Sequence, residues 1–254
     1  MVFILESPVT ERYVKKGDMG KIDYSVIPNQ IKVNGCWFGY DERWNVIELN
    51  NEICDFVIHV LTIAERNNVK FTITKDEHIK YPNSEMLCSG YFVDNGAPEL
   101  GIAVGGKVEE WLEILVHEYS HMEQFLDNCE HWKNNFVGKY ESIDLISNWI
   151  GGEEIENVEH LIDLSFNVET DCDTRAIENI KKHKLPIDIP DYYQKSNSYT
   201  LFYGAILEHK KWYDKDKKPY LIKEVWSAMP NDRIITDWKK EYPLYQSLYS
   251  KYCF

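Results

Sequence analysis

The stretch from Trp111 to Phe125 constrains this chain most, because Trp111, Leu112, Leu115, Met122 and Phe125 recur there at three- and four-residue steps. That spacing predicts an amphipathic helix with one apolar stripe turned to a core. A different stripe of the same helix holds Ile114, His117 and His121. Imidazoles four residues apart lie one above the other on a helix, so both can reach one metal ion. Glu118, next to the first imidazole, is placed to hold a water on that ion as a general base. One stripe is therefore expected to pack on the core while the histidine stripe faces a cleft.

Composition narrows the classes. A chain of 254 residues can bury the core of one large domain, or of a domain with an appendage. Its 17 Tyr and 8 Trp argue against disorder. A formal charge of −14 leaves no basic field for phosphate backbones, so nucleic acid is not expected as a partner. No apolar run reaches membrane-spanning length and the first residues lack a signal-type pattern, so a soluble, cytoplasmic protein with no membrane partner is expected. Cysteines at 36, 54, 88, 129, 172 and 253 form no C-x-x-C pair, which predicts reduced, mostly buried thiols.

The first 45 residues mix short β-type runs with turn signals: Val2 to Leu5, Lys21 to Ile27, and Gln30 to Val33 before Asn34-Gly35, a hairpin signal. Helical periodicity follows from Val46 to Asn67, with His59 inside it as a partly buried, hydrogen-bonded residue to which no role is assigned. Val69 to Ile73, Tyr91 to Val93 and Leu100 to Val104 read as strands, the last two around Asp94-Asn95-Gly96. Gly105 and Gly106 end the last strand and release the chain into the histidine helix.

A catalytic zinc ordinarily has three protein ligands and an open position. Asp127 and His131 are candidates for the third, but Gln124 stands where a chain-turning Gly would be needed to bring Asp127 back. Glu169 is the preferred candidate. It lies on a second predicted helix whose apolar stripe is Leu161, Leu164, Val168, Cys172, Ala176 and Ile180. Asp173 follows one turn later on the same face, where it can accept a hydrogen bond from a ligating imidazole and fix its tautomer.

His117-Glu118-Tyr119-Ser120-His121 is the H-E-x-x-H pattern of zinc-dependent peptidases. With Glu169 and Asp173 as an E-x-x-x-D element, the chain resembles the gluzincin type of zincin over roughly residues 40 to 183. The strand-turn-strand-helix run also resembles ImmA/IrrE-type intracellular peptidases. The stretch from His121 to Glu169 is longer than in compact gluzincins, and Glu123 stands where an apolar residue is commoner. The resemblance implies an α+β, zincin-like fold: a small, twisted, mostly antiparallel sheet packed on an active-site helix and a backing helix. It implies zinc held by His117, His121 and Glu169, with Glu118 as general base on a zinc-activated water and a protein or peptide as substrate. One strand between residues 89 and 104 would border the cleft.

The expected organisation is a metallopeptidase domain over 1–183, with β segments at 1–45 and an insertion at 128–159, then an aromatic-rich, mainly helical subdomain over 184–254. The insertion reads equally as a lid or as a helical hairpin completing the core. In peptidases of this sort a Tyr or His often donates to the oxyanion, and Tyr199, Tyr203 and His209 are where such a donor is sought. The competing reading is a catalytically inactive zincin-like protein with a structural metal and a partner-binding aromatic surface.

Overall fold

The computed structural model describes residues 30–33, 36–39, 51–94, 96–214 and 216–254. The described chain is α+β and divides into two compact units, Met1–Leu126 with Asn179–Ile187, and Asp127–Glu178 with Asp188–Phe254.

In the first unit, β1 (Gln30–Val33) pairs antiparallel with β2 (Cys36–Gly39), Val33 opposite Cys36. The expected hairpin is thus present on either side of Asn34-Gly35, which themselves lie outside the described residues. The runs Val2 to Leu5 and Lys21 to Ile27 also lie outside them. Helix α1 (Asn51–Arg66) buries Ile53, Phe56, Val57, Val60, Leu61 and Ala64, the stripe its periodicity predicts. Asn68 then takes a left-handed conformation, φ 56°, and the chain turns into β3 (Lys70–Thr74).

A small hairpin follows, β4 (Ile79–Lys80) with β5 (Leu87–Cys88), and then β6 (Gly90–Val93) and β7 (Glu99–Ala103). The order β3-β7-β6 makes a three-stranded mixed sheet: β7 runs parallel to β3 and antiparallel to β6. Glu99 ties the three strands together, because its Oε1 accepts from Thr72 at 2.8 Å and from Tyr91 at 2.8 Å. Successive strand residues face opposite sides, so Phe92 meets Phe125 of the histidine helix while Tyr91 and Val93 pack with Ile79 and Ala103.

Helix α2 (Val108–Leu126) is the predicted histidine helix and packs on β6 and β7, while α1 packs on β3. Glu109 and Glu110 in its first turn suit the positive end of the helix dipole. Gly105 sets its entry: a Cβ there would lie 2.4 Å from the Lys75 carbonyl, and the Gly105 N–H donates to Asp76 O at 2.9 Å. Backbone passes too close to backbone for any side chain.

The second unit is mainly helical. Helix α3 (Glu130–Asn134) leads to a hairpin of β8 (Phe136–Val137) and β9 (Tyr140–Glu141), turning at Gly138 with φ 67°, and then to α4 (Ser142–Ile150). The long helix α5 (Val158–His183) belongs to this unit through Glu178, and its last turn is counted with the first unit. After it come α6 (Ile189–Thr200), α7 (Phe202–His209), a 3₁₀ turn at Pro219–Leu221, α8 (Lys223–Trp226) and α9 (Trp238–Tyr252). Asp188 and Asp237 cap α6 and α9 by accepting from the N–H groups of Asp191 and Lys240.

The grouping into units is not linear in sequence. Ile146, Leu161, Ile162 and Phe166 share one core with Phe202, Tyr203, Ile235 and Tyr249, so the segment expected as an insertion is built together with the aromatic tail. The physical reason is burial: α4 is too short to cover its own apolar face, and Ile146 is fully buried only within that shared core. A hydrogen bond from Trp238 Nε1 to Asp163 at 2.8 Å fastens α9 to α5 within the same unit.

Candidate metal centre

The histidine stripe of α2 forms as the spacing predicts. The rings of His117 and His121 lie 4.7 Å apart, centroid to centroid, with nearly perpendicular planes, and both are half-buried. Glu118 is half-buried, while Trp111, Leu112, Leu115, Val116, Tyr119 and Met122 form the buried back of the helix. His121 Nδ1 is 2.8 Å from Oε1 of Gln124, a residue with no solvent exposure.

Four contacts fix that back. Tyr119 hydroxyl and His59 Nε2 form a hydrogen bond at 2.9 Å, and Phe56 meets the Tyr119 ring edge-on at 5.6 Å. His183, in the last turn of α5, lies 4.7 Å from the His59 ring. Asn179 Nδ2 donates to Glu123 at 2.7 Å. Burial pushes His59 down to about 4, and proximity to His183, Lys182 and Arg66 adds to this; burial and Lys182 lower His183 as well. Both imidazoles are therefore neutral at pH 7, and His59 is the partly buried, hydrogen-bonded residue its position suggests.

Among the described residues, His117, His121 and Cys172 form a group whose donor types could hold a metal ion, with ligand atoms within 4.8 Å of one another. Cys172 is fully buried on α5, three residues after Glu169 and next to Asp173. Glu169 is half-buried on the same helix face, ~4.5 Å of helical rise before Cys172.

Asp173 is almost entirely buried and accepts from the Tyr192 hydroxyl at 3.3 Å. Tyr199 lies in the electrostatic reach of Glu169 and hydrogen-bonds Tyr203. Burial raises the Tyr199 hydroxyl well above its ordinary value, and Tyr203 and Glu169 push the same way, so it stays protonated and able to donate. His209 is elsewhere in its unit: it is exposed, pairs with Ser250 Oγ at 3.1 Å and lies 4.3 Å from the Phe254 ring.

The alternative third ligands have other engagements. Asp127 is exposed and accepts from Arg175 Nη1 at 2.7 Å, while Arg175 Nε donates to Asp171 at 2.9 Å. Burial opposes the Arg175 charge, but the two carboxylates outweigh it and raise the guanidinium further. His131 is exposed on α3.

Sequence reasoning placed Cys172 in the apolar stripe of α5 and assigned it no chemistry. The missed signal was a cysteine three residues after Glu169 and beside Asp173, on the helix already chosen to supply a ligand. Gln124 was weighed only as the missing Gly of another arrangement, although its spacing of three from His121 places it one turn away on the same helix. Among the described residues, Cys54, Cys88, Cys129, Cys172 and Cys253 are in no disulfide.

Compared with models of known families, with curated proteins and with solved structures, the chain matches none. Its class therefore rests on its own geometry: an α+β protein with a half-buried histidine pair, a buried cysteine and a glutamate beside the first histidine. Among the described residues no helix is long and apolar enough to cross a membrane.

Proposed function

We propose that this chain is a zinc-dependent peptidase of zincin-like, gluzincin-related architecture that cuts a peptide bond within a protein or peptide substrate. The observation that carries the reading is the His117–His121 pair on the helix that also presents Glu118, a pair that could hold a metal ion together with Cys172 of α5. His117 and His121 would hold the metal with a third donor from α5, either Glu169 or Cys172. When bound, zinc supplies Lewis acidity toward a carbonyl and makes water a stronger acid at neutral pH.

Glu118 takes the proton from the attacking water and delivers it to the leaving amine. Tyr199, kept protonated by burial, is the preferred donor to the oxyanion, with Tyr203 holding it in place. His209 contributes least to this role, given its pairing with Ser250. The outer strand β6, which packs on α2, offers an edge to which an extended peptide can add.

The test is metal analysis with peptidase assays on the wild type and Glu118→Gln. The reading expects about one zinc per chain in both proteins, with hydrolysis lost by at least ~100-fold in the variant, as befits removal of a general base. Equal turnover by the variant, or by chelator-treated protein, overturns it. A second reading, a structural metal in a non-catalytic binding protein, is favoured by the complete burial of Cys172. It expects zinc removal to lower the melting temperature with no substrate cut by either protein.

A further inference from the structure

The buried amide of Gln124 has no place in the proposed chemistry so far, yet it touches one of the proposed ligands. Resting on the metal reading above, we propose that Gln124 is a positioning residue that fixes the tautomer of His121, so that Nε2 is its only ligand atom. The contact is Nδ1 to Oε1 at 2.8 Å, and an amide oxygen can only accept. Nδ1 therefore carries the proton, and the lone pair needed for a metal bond resides on Nε2.

Burial shields the arrangement from water. Gln124 has no solvent exposure, so the oxygen has no bulk water to take in exchange for the imidazole N–H. The two residues are three apart on α2, and the helix itself holds donor and acceptor in register. A partner on the second nitrogen also restricts rotation of the ring about its Cβ–Cγ bond and makes the ligating nitrogen a stronger base. In this chain a neutral amide performs the duty that a carboxylate or a backbone carbonyl performs for most ligating histidines.

Two measurements test this. In the first, nitrogen NMR of metal-free wild type with labelled histidine should show His121 with Nδ1 protonated and Nε2 bare; the opposite tautomer, or an even mixture, overturns the proposal without reference to metal. In the second, zinc affinity is measured by competition with a chromophoric chelator for wild type, Gln124→Met and Gln124→Glu. Gln124→Met keeps the side-chain length but loses the acceptor and should bind zinc about 10–100-fold more weakly, while Gln124→Glu restores an acceptor and should recover the affinity. Unchanged affinity in Gln124→Met overturns the positioning role and leaves the metal reading intact. Equal weakness in both variants assigns the loss to packing and also overturns it. Failure of the wild type itself to bind zinc overturns the metal reading and, with it, this role.

Discussion

Gly90 controls how closely β6 approaches α2, and replacing it with Ala tests that contact. A Cβ at this position would lie 2.6 Å from Ile114 Cγ2, 3.2 Å from the Gly101 carbonyl and 3.2 Å from Ile102 Cδ1. The first distance is well inside van der Waals contact, and Cγ2 sits on a branched Cβ that cannot swing away without changing rotamer. Forced overpacking of this kind costs about 1–3 kcal/mol. Exchanging Gly for Ala in a strand returns about 0.5–1 kcal/mol through the unfolded chain. The net expectation is a loss of roughly 1–2 kcal/mol. At this chain length that corresponds to a melting temperature lower by about 2–8 °C. Thermal and urea unfolding of Gly90→Ala, Ile114→Ala and the double variant form the assay. Ile114→Ala removes the obstructing methyl and leaves the two contacts at 3.2 Å, so the same Gly90 change in that background should cost distinctly less. An equal loss in both backgrounds, or none in the wild type, would refute the claim that this contact sets the spacing one turn from His117.

Acidification should weaken the packing behind the histidine pair. His59 has a folded value near 4 against an ordinary 6.5, so the unfolded chain binds the proton first; stability is full above pH 6.5, falls as pH drops toward 4 and then levels. Unfolding midpoints between pH 7 and 4.5 should therefore fall less steeply in His59→Gln than in wild type, and parallel slopes would contradict the assignment. For the third donor, zinc binding by Glu169→Ala and Cys172→Ser decides between the two. The true ligand's variant should lose at least ~10-fold in affinity while the other changes little, and wild-type affinity in both would remove α5 from the donor set.

The histidine helix was legible in the sequence because three independent signals agree there: apolar period, a matched pair of imidazoles, and glycines at the entrance. The three strands of the sheet were legible for the same reason, although the parallel pairing of β3 with β7 was not, since register depends on partners distant in sequence. Pro186 and Pro190 mark the end of a helix and say nothing about which core the residues on either side join. Cys172 was hidden by its double nature. A thiol packs as a small apolar group, so the periodicity that located α5 also disguised its one soft donor.

The arrangement of α2 bears on when the proposed metal pair becomes ordered. The backbone approach at Gly105 fixes where the helix starts, and the contact of Gly90 with Ile114 fixes how it lies on the sheet. Tyr119 is held from behind by His59, and Glu123 by the buried Asn179. None of these contacts uses the nitrogen atoms of His117 or His121, and His121 has a protein partner on its other ring nitrogen. On the proposed reading, the contact with Gln124 orients the His121 imidazole within the fold itself, which lowers the ordering cost of metal binding. On that reading α2 keeps its structure when metal is removed, because its packing on β6 and β7 does not involve the donors.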